Sequence, residues 1–185
     1  MKSILRTCLS LGLVGGWLSM PAAAQGLINF STRVGASVNA PVIYLAENTL
    51  ADGRFFGQLY AAAPFESLAP VGNPSPFRSD VGKGYITAGG NVSVPGVQPG
   101  SLAQVKLVAW ASWLGNTYAE AIAQGRGDIG ESAVIEINLG GGLMPPATLF
   151  GLQAFVISPI IPEPSAVSLI VVGMAMGWRY RKSLS

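Results

Sequence analysis

The sequence predicts an all-β body, an antiparallel β-sandwich of immunoglobulin-like or jelly-roll-like kind with one short helix, flanked by an N-terminal export signal and a C-terminal membrane helix. Three observations carry this expectation. Short segments alternate apolar and polar residues with a period of two, as half-buried strands do. Gly and Pro are abundant, at 24 and 13 of 185 residues, and they punctuate the chain into turns. The two ends differ from the body in charge and hydropathy.

The alternation is clearest in two places. Ala133, Ile135, Ile137 and Leu139 share one face, against Val134, Glu136 and Asn138. Val105, Leu107 and Ala109 share another, with Gln104, Lys106, Val108 and Trp110 opposite. Val92 and Val94 alternate around Ser93 ahead of Pro95-Gly96. Further strands are expected at 27–31, 42–45, 55–61, 85–88 and 152–157. The clusters Asp52-Gly53, Gly72-Asn73-Pro74, Gly89-Gly90-Asn91 and Gly140-Gly141-Gly142 read as the turns between them. Tyr118–Gln124 (YAEAIAQ) is the one helix expected. Seven or eight short strands at this spacing suit a sandwich, with the jelly roll as the close alternative. No period of 20–50 residues indicates a solenoid. The stretch 140–159 reads as a last strand running into a Pro-containing stalk.

Composition narrows the chemistry. Charged residues make up 11% of the chain, against roughly 25% in ordinary soluble domains. Between Gln25 and Ile161 there are six basic and eight acidic residues, a net charge of −2. The overall +2 therefore comes from the ends, and the body lacks the basic patch that nucleic-acid binding needs. The chain has no His, and its single Cys is Cys8. From Gln25 onward there can be no disulfide, no thiolate or imidazole metal site and no Ser-His-Asp or Cys-His machinery. Neither a metal nor a cofactor is expected, and no catalytic residue stands out.

Residues 1–24 combine Lys2 and Arg6, an apolar stretch from Cys8 to Met20, and Pro21-Ala22-Ala23-Ala24. This is the pattern of a signal peptide, with cleavage by signal peptidase expected between Ala24 and Gln25. Because Gln25 follows the cut, Cys8 is not a lipoprotein cysteine. The body then occupies 25–158 and the tail 159–185.

The tail reads Pro162-Glu163-Pro164-Ser165, an apolar run from Ala166 to Trp178, and Arg179-Tyr180-Arg181-Lys182. The run has 13 residues, whereas a full membrane crossing takes roughly 20. Two prolines favour an extended, accessible backbone at Glu163. Arg179, Arg181 and Lys182 form a basic stop on the cytoplasmic side. An extended site, a short apolar helix and a basic end have the logic of a transient anchor, held at the membrane until a protease acts. The alternative is a plain C-terminal anchor.

This order of parts resembles the PEP-CTERM sorting signal of Gram-negative bacteria that make exopolysaccharide. The resemblance covers about the last 25 residues. It implies an inner-membrane intermediate, recognition of Pro162-Glu163-Pro164 by an exosortase, which is an integral membrane cysteine protease, and delivery to the cell surface or extracellular matrix. Tyr180 interrupts the basic end, and Ser183-Leu184-Ser185 trails it. GQLYAA, VKLVAWA and GESAVIEINLGG are also similar to stretches in ectodomains of small PEP-CTERM proteins, from which no activity carries over.

Other motifs have plainer readings. Gly125-Arg126-Gly127-Asp128-Ile129-Gly130 has GxGxxG spacing, but a dinucleotide site needs a strand before the loop and a helix after it. Here the order is reversed, and a helix-ending turn is expected. Arg126-Gly127-Asp128 matches the integrin tripeptide on three residues alone. Asp128 and Glu131 offer oxygens to Ca²⁺ but lack the six to eight ligands of a dedicated site. Glycoside hydrolysis would require two carboxylates facing across a cleft, and none of the eight is marked for this. Trp110, Trp113, Tyr85 and Tyr118 would make a carbohydrate-binding platform if they lay coplanar on the surface, and Phe77 is a further aromatic. The plainer reading is that these rings fill the core. The expectation is thus an exported, non-enzymatic surface or matrix protein associated with exopolysaccharide. A carbohydrate-binding module and a carboxylate hydrolase are the alternatives.

Overall fold

The structure is a computed structural model and describes residues 24–87 and 89–160. In chain order the strands are β1 Gly26–Asn29, β2 Arg33–Val34, β3 Val38–Asn39, β4 Val42–Tyr44, β5 Thr49–Leu50, β6 Phe55–Ala62, β7 Ala69–Pro76, β8 Asn91–Val94, β9 Leu102–Ala111, β10 Gly127–Glu131, β11 Ile135–Asn138 and β12 Phe155–Ile160. One helix, α1 Tyr118–Ala123, follows a 3-10 turn at Ser112–Leu114. The described residues are therefore mostly β with one short helix, as expected for the body. No described helix is long and apolar enough to cross a membrane.

Eight strands form one curled sheet in the order β5-β4-β12-β10-β9-β6-β7, with β11 also paired to β9. All neighbours are antiparallel except β12 and β4, which run parallel. β1 and β8 pair with each other, and β2–β3 is a small separate ribbon. Ile28 of β1 and Val92 and Val94 of β8 join Leu59, Val105, Leu107 and Ile157 of the large sheet in one buried core.

The long strand β9 shows how the core is built. Its first half alternates, with Ala103, Val105 and Leu107 buried and Gln104 and Lys106 half-buried. From Leu107 to Ala111 every residue is buried. Val108 and Trp110 thus depart from the simple two-face reading, because the 3-10 turn and α1 cover the second face there. The Trp110 indole packs 5.8 Å from the Tyr118 ring and donates its Nε1–H to the Gly115 carbonyl at 3.0 Å. The helix itself starts at a cap: Thr117 Oγ1 accepts from the Glu120 N–H at 3.2 Å, and Glu120 Oε2 reaches back to the Asn116 N–H at 2.8 Å. This is a close variant of the capping box.

Several expectations need correction. The segment 69–76 reads as a turn around Gly72-Asn73-Pro74, but it is the edge strand β7. Those three residues are a bulge: Gly57 pairs with Ser75 and Leu59 with Val71, so only Gln58 lies opposite them. The Gln58 side chain fills the gap by donating to the Gly72 carbonyl at 2.9 Å. Prolines 70, 74 and 76 are tolerated because an edge strand has one side without partners.

The segment 85–87 is not a strand. Ile86 is held there by Thr32, whose N–H donates to the Ile86 carbonyl at 2.9 Å and whose Oγ1 accepts from the Ile86 N–H at 2.9 Å. Its side chain occupies the space over Gly57, where an added Cβ would lie 2.5 Å from Ile86 Cδ1. Gly125 does end α1, with φ of 61°, but Gly127 onward is strand β10 rather than turn. The face expected at Ala133 is interrupted, since Ala133 and Val134 are exposed between β10 and β11. Pro159 lies inside β12, opposite Asp128, and not in a stalk.

Candidate functional site

Two junctions and two polar clusters stand out as candidate sites. Ala24 and Gln25 are exposed and lead directly into β1. At the other end β12 closes on Ile160, which pairs with Gly127. Pro162, Glu163, Pro164, Arg179, Arg181 and Lys182 lie outside the described residues.

The first polar cluster sits on the outer face of the large sheet, next to α1. Tyr118 Oη donates to Glu131 Oε1 at 2.7 Å, and Lys106 Nζ donates to Glu131 Oε2 at 2.8 Å. Tyr60 meets Tyr118 edge-on with ring centroids 6.0 Å apart. Burial pushes the Tyr118 hydroxyl pKa up, and the adjacent Glu131 carboxylate pushes it further. Burial also pushes the Glu131 carboxyl up, but the hydrogen bonds from Lys106 and Tyr118 outweigh it and leave the pKa lowered. Every polar atom of the trio has a partner, so the arrangement clamps α1 to the sheet and holds no reactive group in reserve.

The second cluster lies where β6 begins. Arg54 binds Glu47 through Nη1 at 3.0 Å and Nη2 at 2.9 Å, and Asp52 through Nε at 3.0 Å. The bonds to Glu47 and Asp52 raise the Arg54 pKa, and Arg54 in turn lowers that of Glu47. Nearby, Arg78 pairs with Asp80, whose carboxyl is lowered to about 2. These exposed pairs satisfy one another.

The aromatic platform does not assemble. Trp110 and Tyr118 are buried, while Trp113 is 65% exposed, and Tyr85 donates its hydroxyl to Asn39 at 2.7 Å. Phe77 is buried. Asp128 and Glu131, three apart on a strand, project to opposite faces. Asp128 accepts from Tyr44 Oη at 3.2 Å while Glu131 faces Lys106 and Tyr118. Among the described residues no group of three or more Asp, Glu, His or Cys is placed to hold a metal ion. An open depression of about 310 Å³ lies beside β11, lined by Glu136, Ile137, Asn138, Ala147, Thr148 and Phe150. It contains a single carboxylate.

The cluster of Tyr118, Glu131 and Lys106 was not legible in the sequence. Tyr118 and Glu131 are 13 residues apart and Lys106 and Glu131 are 25 apart, and only the β9–β10 register and the packing of α1 bring them together. No family model, curated protein or solved structure matches the chain.

Proposed function

We propose that this chain is an exported, non-enzymatic surface or matrix protein of a Gram-negative bacterium, sorted through a PEP-CTERM-like tail and associated with exopolysaccharide. In this reading the curled sheet and the β1–β8 pair are the layers of a β-sandwich ectodomain. Signal peptidase releases residues 1–24, and the segment 166–178 holds the chain in the inner membrane until an exosortase acts at Pro162-Glu163-Pro164. The observation that carries the proposal is the tripartite order of the tail, in which Pro-Glu-Pro, an uncharged apolar run of 13 residues and a basic stop follow one another without a gap longer than one residue.

Glu163→Ala tests it in a host that carries an exosortase. Export should be intact, with a mature N-terminus at Gln25, while full-length protein accumulates in the inner membrane on fractionation. A Glu163→Ala protein that reaches the surface and loses its tail like the parent would instead support a plain anchor.

A further inference from the structure

Seven of the twelve exposed large apolar residues among the described residues sit toward the two ends of the sheet, one of which is where the chain leaves the fold. Phe65 at the tip between β6 and β7, together with Leu143, Met144 and Phe150, is exposed at the end of the sheet where β9 begins. Leu45, Trp113 and Ile122 are exposed toward the other end, where β12 leaves.

These three flank the exit on both sides. Leu45 follows β4, which runs parallel to β12, and its N–H donates to the Ile157 carbonyl at 2.9 Å. Trp113 lies over Gly127, the partner of Ile160: a Cβ added to Gly127 would come 3.0 Å from Trp113 Cη2. Ile122 is on α1, which connects to β10 through Gly125 and the exposed Arg126. Arg126 forms no ion pair among the described residues, whereas Arg54, Arg78 and Lys83 at this end are each within reach of a carboxylate.

Only residues 161–165 separate Ile160 from the apolar run that starts at Ala166. Fully extended, that connection spans about 20 Å, so a membrane-embedded tail keeps this end of the domain against the bilayer. A short tether of this kind supplies an effective concentration on the order of millimolar. A contact too weak to recruit a free domain is then strong enough to be occupied. Trp at an apolar–polar boundary, flanked by aliphatic residues and a cation, suits the headgroup region of a bilayer.

We infer that the β12-exit end of the domain, through Leu45, Trp113 and Ile122, seats on the lipid surface while the tail is in the membrane. The inference rests on the membrane-tail reading above. The domain stands on the bilayer by this face, with the Phe65 and Leu143 end pointing away from it.

The absence of Cys beyond residue 8 allows a direct test. In the mature chain from Gln25 to Ser185, which contains no Cys, single thiols are introduced by Leu45→Cys, Trp113→Cys and Ile122→Cys, with Phe65→Cys and Leu143→Cys as controls. Each is labelled with an environment-sensitive nitrobenzoxadiazole dye and reconstituted into phosphatidylethanolamine–phosphatidylglycerol vesicles. The expected result is co-flotation of all variants, several-fold brighter emission at the three exit-end sites, and its loss when nitroxide lipids are included. The two controls should stay as in water. If the proteins float but the exit-end labels remain aqueous, or both ends respond alike, the seating is wrong and the membrane tail stands. If they do not float, the membrane tail fails and the seating with it.

Discussion

Ser132 shows how one side chain completes a ladder that the backbone leaves open. It stands in the break between β10 and β11, where its N–H donates to the Leu107 carbonyl at 2.9 Å. Its Oγ accepts the buried Leu107 N–H at 2.9 Å and donates to the Ala133 carbonyl at 2.8 Å. Ser132→Ala leaves that N–H without an acceptor, which costs about 1–3 kcal/mol. Urea unfolding of the variant should show a lower midpoint at unchanged slope. Glu131 makes a second prediction, for pH. Its folded pKa lies below the ordinary 4.5, so the folded state binds the proton less readily than the unfolded one. The stabilisation is present above that ordinary value and is lost as pH falls below it toward the folded pKa. Tyr118 has the opposite sign at the alkaline end: its raised pKa stabilises the fold below pH 10 and ceases to do so as pH climbs above it. In midpoint-versus-pH curves, Glu131→Gln should flatten the acid limb and Tyr118→Phe the alkaline limb. Because Glu131 is 44% exposed, solvent screening keeps the acid effect small.

At the scale of elements, legibility in the sequence followed burial. The first half of β9 and the residues of β11 were readable because one face meets the core and the other meets water. α1 was readable because YAEAIAQ lies between Gly115 and Gly125 and contains strong helix formers. β7 was hidden because Pro70, Pro74 and Pro76 are turn residues everywhere except on an edge, and edge position is a property of the assembled sheet. β10 was hidden because Gly127 and Gly130 look like a turn until β12 and β9 close around them. A Cβ at Gly130 would run into the Val156 carbonyl of β12. The tail pattern was legible for a different reason: it consists of sequence order and hydropathy, which are read without any knowledge of folded contacts. The polar trio on the sheet was illegible because it depends on register. The α1 cap yields a prediction at this scale. Thr117 is the only side chain that accepts from the first turn of a six-residue helix, too short to persist without its cap and its packing. Thr117→Ala should cost on the order of 1 kcal/mol. Since α1 covers Trp110, the loss should appear both as a lower thermal midpoint and as faster hydrogen exchange at residues 118–123.

At the scale of the whole molecule, the order of strands in space matters more than their order in the chain. β12 is the last strand among the described residues, yet it occupies an interior position, parallel to β4 on one side and antiparallel to β10 on the other. Its Ile157 is fully buried. Without it, β4 and β5 pair with no other strand of the large sheet, and β10 exposes an edge of unpaired donors and acceptors. Pairings so distant in sequence pay loop-closure entropy before they are rewarded, which makes folding slow. The sheet therefore cannot be completed until residue 160 is available, and that residue lies two positions before Pro162. In an exported chain the last step of folding and the arrival of the tail at the membrane would nearly coincide. The expected outcome is a sharp difference between two truncations. Residues 25–160 should fold alone, with a β-type circular dichroism spectrum, a near-ultraviolet signal from buried Trp110 and a single cooperative unfolding transition. Residues 25–154, shorter by β12 and nothing else, should lose the near-ultraviolet signal and the transition. A 25–154 chain that still unfolds cooperatively with the same aromatic signal would show that the two halves of the sheet are held together without β12, and the late-completion argument would fall.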